Sequence, residues 1–155
     1  MAIGQKVNLP GWKKSKGTTG FVDLAEGEYD FNIVEAVVRD RKNNAPGFNV
    51  WVKLEVISGP PQKDGRAAKG MKANTFFDIK GAEDPKLGDT PVEEQFALHD
   101  LKSLALAAGL EFKGDTVDFG AFAGQQVHAK VVHTPNKQDS SKFFVNFRDW
   151  APIKE

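Results

Sequence analysis

A chain of 155 residues is the size of one compact domain. It has no cysteine, which excludes disulfide frameworks, thiolate metal sites and cysteine nucleophiles. Its 21 basic and 21 acidic residues cancel overall but not locally: residues 1–82 carry a net +4, residues 83–120 a net −6 and residues 121–155 a net +2, and phosphate contact depends on the local field rather than on the total.

Residues 1–22 read as a basic N-terminal arm, with Lys6, Lys13, Lys14 and Lys16, no acid, and Trp12 to stack on a base or tuck into the domain. The arm has no apolar leader segment and no apolar run nears the ~20 residues of a membrane span. The chain is therefore expected to be cytoplasmic, with no membrane partner. From there 15 Gly, 8 Pro and 12 Phe lean toward β structure. Tyr29, Phe31 and Ile33 alternate with Asp30 and Asn32, predicting a strand over Glu28–Val38. The run RDRKNNAPG, residues 39–47, is a turn by composition. A second strand, Phe48–Ile57, sends Phe48, Val50, Val52, Leu54 and Val56 to one face and Asn49, Trp51, Lys53 and Glu55 to the other. A basic loop with Pro60 and Pro61 leads into a third strand, Lys72–Lys80, where Ala73, Thr75, Phe77 and Ile79 oppose Lys72, Asn74, Phe76 and Asp78.

The period then turns helical. Thr90 as cap, Pro91 in the first turn and Glu93 closing a capping box predict a helix whose apolar stripe is Phe96, Leu101, Leu104, Ala105 and Ala108, ending at Gly109. A helical turn over Val117–Ala123 follows, then strands Gln126–His133 and Lys142–Arg148, with Phe143, Val145 and Phe147 facing one way and Phe144, Asn146 and Arg148 the other. Three strands, a helix and two strands predict an all-β domain over residues 23–150 with one helix. The expected form is a five-stranded Greek-key barrel of the OB-fold type, the helix between strands three and four, with a short tail at 151–155. An open antiparallel sheet with a helix on one face is the other arrangement this order permits.

On a barrel of that kind the outer face of strands two and three, with the loops beside it, is the expected binding wall. The residues it collects are Trp51 as a stacking platform, Phe76 and Phe144 as secondary platforms, and Arg39, Arg41, Lys42, Lys53, Lys72, Lys137 and Arg148 as cations. Flat rings stack bases and cations neutralise phosphates, the combination that holds single-stranded nucleic acid without sequence preference.

The segments LAEGEY (24–29), VKLEV (52–56) with SGP (58–60), TFFD (75–78), LKSL and AAG (101–109), and FAGQQV (122–127) resemble phage-encoded single-stranded DNA-binding proteins of replication and recombination modules, over residues 21–148. That resemblance implies an OB-fold that coats single-stranded DNA in the cytoplasm of a bacterial host and works beside replication or recombination proteins. The acidic C-terminal tip of bacterial single-stranded DNA-binding proteins is missing from the final WAPIKE.

Catalysis is not expected, nor a cofactor or metal. The motifs of zinc proteases, serine hydrolases and phosphate loops are missing. His128 and His133 fall on opposite faces of one strand. Asp78, Glu83 and Asp84 cluster without the second carboxylate set that a two-metal nuclease needs. The competing reading is a structural module whose exposed aromatics bury in a homo-oligomer.

Overall fold

The computed structural model describes residues 6, 8–10, 24–112, 114–139 and 143–153. The arm's Trp12 and its neighbouring lysines lie outside the described residues. Among those described, the chain is mostly β, with strands β1 (Gly27–Asp40), β2 (Gly47–Ser58), β3 (Lys72–Lys80), β4 (Gln126–Pro135) and β5 (Phe143–Ala151), and one α-helix, α1 (Phe96–Ala107), between β3 and β4. The strands form one open antiparallel sheet in the order β3-β2-β1-β4-β5. Its edges are β3 and β5, and α1 contacts both of them as well as β4. No helix among the described residues is long and apolar enough to cross a membrane.

β1 is the hub because it pairs with β4 over residues 27–32 and with β2 over residues 30–40. Tyr29, Phe31 and Ile33 point into the core and are almost fully buried. The register with β2 then slips between Ile33 and Glu35, leaving Val34 as an extra residue. A bulge of this kind inverts the alternation. Past it Ala36 and Val38 oppose the inward Val52 and Val50, while Glu35, Val37 and Arg39 oppose the outward Lys53, Trp51 and Asn49. β1 therefore continues two residues beyond its predicted end, and Arg39 belongs to the sheet rather than to a loop.

Val50, Val52, Leu54 and Val56 of β2, Phe77 of β3, Val127 and Val131 of β4, Phe147 and Trp150 of β5, and Leu101 and Leu104 of α1 close the core around Phe31. Phe147 meets Phe31 edge-on at 5.6 Å between ring centres and stacks on Trp150 at 5.8 Å. Each large apolar side chain so enclosed contributes roughly 1.5–3 kcal/mol. Phe48, expected on the core face, is more than half exposed: it sits at the hairpin end of β2, opposite Asp40 and the half-buried Ile79.

Two buried amides tie the connections down. Gln62, in the β2–β3 loop, accepts from Ala25 N–H and donates to the Tyr29 hydroxyl and the Pro60 carbonyl. Gln95 accepts from Lys80 N–H and donates to the Lys80 carbonyl, pairing both backbone groups of one residue on the edge strand β3.

That second tie changes the predicted helix start. Thr90 to Glu93 do not form a capping box; Val92–Glu94 is a short 3-10 turn, Gln95 is extended, and α1 begins at Phe96. Leu101, Leu104, Ala105 and Ala108 are buried as predicted, but Phe96 is 81% exposed. Five residues at 100° each place it about 140° around the helix from Leu101, off the buried stripe. Gly109 ends the helix in the left-handed region, with Leu110 N–H bonded to the Ala105 carbonyl and Gly109 N–H to that of Leu106.

Candidate nucleic-acid interface

The outer face of β1, β2 and β3 is organised in cross-strand rows. Val37, Trp51 and Phe76 form one, with Glu35, Lys53 and Asn74 on one side of it and Arg39, Asn49 and Asp78 on the other. Trp51 and Phe76 stack at 5.2 Å between ring centres and 20° between planes. Phe76 is 57% exposed and Trp51 36%. The outward assignment of Phe76 over Phe77 follows from this pairing: Phe77 faces Val50 and is buried.

Four exposed cations lie on this face or at its margin. The Arg39 guanidinium lies 5.8 Å from the Trp51 ring centre, within cation–π range. Lys53 is one step along β2, its Nζ 2.9 Å from Glu35 Oε1. Lys72 is exposed at the start of β3, opposite Glu55. Lys42 is exposed in the 3-10 turn that links β1 and β2.

Arg41 does not join them. Its side chain is 8% exposed, and it donates to both carboxylate oxygens of Asp78 (2.7 and 3.2 Å), to Asp84 and to the Pro46 carbonyl. The Arg41 hydrogen bond, followed by one from Lys86 N–H, holds the Asp84 carboxyl below its usual range. Asp78 and Asp84, two of the clustered acids noted in the sequence, are thus engaged in fastening the β1–β2 hairpin to the segment after β3.

Phe144, Lys137 and Arg148 lie in different rows from Trp51. Phe144 is exposed opposite Thr134, Arg148 is exposed opposite Lys130, and Lys137 is exposed in the β4–β5 turn. Between that end of the sheet and the Trp51 rows stand Glu28 and Asp30, whose carboxylates approach the two ring nitrogens of His128 (3.5 and 2.8 Å). His133 instead contacts the Leu24 carbonyl through Nε2 at 2.7 Å and stacks on Phe143.

The interface is therefore smaller than the sequence suggested: Trp51, Phe76, Arg39, Lys53 and Lys72, with Lys42 at its margin. No protein-family model matches the chain, and no curated protein is significantly similar to it. Glu35 is the member of the face that sequence reading missed, because unbroken alternation from Tyr29 would turn it inward. The consecutive Ile33-Val34 pair, two β-branched residues where one polar residue is due, is the only trace of the bulge in the sequence.

Proposed function

We propose that the protein binds single-stranded DNA without sequence preference, bases stacking on Trp51 and Phe76 while Arg39, Lys53, Lys72 and Lys42 neutralise phosphates. The observation that carries this reading is the stacked, solvent-facing Trp51–Phe76 pair with a guanidinium over it and an ammonium one step away. Every base has a π-face, so such a platform is tolerant of sequence. The strand order and the position of α1 support a partly open OB-type barrel, since the two edge strands contact the same helix. The resemblance of residues 21–148 to phage single-stranded DNA-binding proteins supports a role in phage DNA replication or recombination, in the cytoplasm of a bacterial host.

Fluorescence titration with oligo(dT) tests this. In the Trp12→Phe variant the exposed Trp51 and the buried Trp150 are the indoles that remain, so saturable quenching is expected, weakening with salt at a log–log slope of about −3 for four neutralised phosphates. Quenching that is absent at about 50 mM salt overturns the reading. A second reading, a homo-oligomer sealed by aromatic contacts, is favoured by the exposure of Phe48 and Phe144 away from the Trp51 row; light scattering separates the two.

A further inference from the structure

Between the edge of β3 and the first turn of α1 lies a cleft of about 440 Å³. Phe76 and Phe96 flank it, 57% and 81% exposed, above the buried Phe77. Phenylalanines this open on one cleft mark a contact surface rather than a solvated one. Lys80 and Asp100 also line it. Asp100 is half-buried, and burial pushes its carboxyl up from the ordinary range, a shift the neighbouring Trp150 indole only partly offsets. Among the described residues no Lys, Arg or His forms an ion pair with it. A partly desolvated carboxylate without a counter-ion, beside aromatic faces, is a receptor for a cation.

The surroundings decide what kind of cation-bearing molecule fits. Arg41 is committed to Asp78 and Asp84, which leaves Asp100, with Glu93 and Glu94 just before Phe96, against Lys80. A polyanion is repelled here. We propose that this cleft docks a lysine or arginine side chain of a partner protein, its charge between the Phe76 and Phe96 rings and against Asp100, its alkyl stem on Phe77 and Ala97. The docking does not depend on the nucleic-acid reading, although Phe76 is common to both.

The test uses the full-length ¹⁵N-labelled protein titrated with a blocked peptide of alternating arginine and leucine. Saturable shifts are expected at the amides of Lys80, Phe96, Ala97 and Asp100. Phe96→Ala, which removes an exposed ring, and Asp100→Asn, which keeps the side-chain shape, are each expected to weaken binding roughly fivefold. The same peptide with glutamate for arginine is expected to leave the spectrum unchanged. Absent or unsaturable shifts, or unaltered affinity in both variants, overturn the proposal. Matching shifts with oligo(dT) overturn it in favour of nucleic acid, and concentration-dependent shifts of the protein alone in favour of a second copy.

Discussion

Lys53 and Glu35 hold each other across the β1–β2 ladder, Nζ to Oε1 at 2.9 Å, on the face that carries Trp51. Both are about half exposed, so the pair contributes at most ~1 kcal/mol, yet a phosphate approaching Lys53 must displace it. Glu35→Gln is expected to tighten oligo(dT) binding roughly two- to fivefold and to leave the salt slope near that of the wild type, since Lys53 already meets a phosphate there. Fluorescence titrations over a range of salt measure both, and weaker binding by the variant would contradict this role of Glu35.

Trp51 and Phe76 act as one platform because each ring rests on the other. Trp51→Ala and Phe76→Ala are each expected to cost about 1–3 kcal/mol of oligo(dT) affinity. The double variant should lose less than the two losses combined, with a coupling of ~0.5–1.5 kcal/mol. Strict additivity in the double-mutant cycle would mean that the two rings meet the ligand independently.

Arg41 is a structural cation. Arg41→Lys keeps the charge but loses the two-point contact with Asp78. The melting temperature is expected to fall while the salt slope of oligo(dT) binding stays as in the wild type. Lys72→Ala is expected to do the reverse, leaving the melting temperature in place and flattening the slope by about 0.7. A flattened slope for Arg41→Lys would return that residue to the interface.

Two carboxylates respond to pH with opposite sign. Asp84 is held below the usual range, so its contribution to stability is present above the ordinary aspartate value of about 3.9 and is lost as pH falls through its lower native value. Asp100 is raised, so its ionisation costs stability as pH rises through its native value, and the cost disappears below about 3.9. At neutral pH Asp84→Asn is expected to melt lower than the wild type and Asp100→Asn higher. Melting curves across pH check the pair; equal shifts at neutral pH and at about pH 3 would show that ionisation is not the cause.

Gly47 opens β2 at φ +114°, and a Cβ there would lie 1.9 Å from the Ile79 carbonyl oxygen. Gly47→Ala is expected to destabilise the fold by about 2 kcal/mol or more. Gly70, at φ +87° with open space around it, is expected to lose only ~1–2 kcal/mol on the same change. Urea denaturation distinguishes them, and similar midpoints would show that the hairpin yields to the added carbon.

What could be read before folding depended on how far each side chain's position follows from its neighbours along the chain. The outward direction of Trp51 follows from Val50, Val52, Leu54 and Val56, since one buried face dictates the other over a regular strand. Arg39 and Glu35 were not legible in this way, because the bulge at Val34 reverses the faces for every residue after it. Arg41 looked like its neighbours Arg39 and Lys42, and only Asp78 and Asp84, 37 and 43 residues further on, mark it as a buried partner. Phe96 fell to a helix start displaced by a single glutamine bonded to a distant strand.

The sequence by itself determined five strands, one helix between the third and fourth, the core faces of β2 and β3, and an outward indole at position 51, because two-residue and 3.6-residue periods are local consequences of burying one side of an element. The tertiary structure alone decided which cations remain free, which acids stand among them, and which rings meet. Those outcomes depend on cross-strand register and on contacts between residues far apart in the chain, where one inserted residue or one buried ion pair changes the surface without changing the pattern that precedes it.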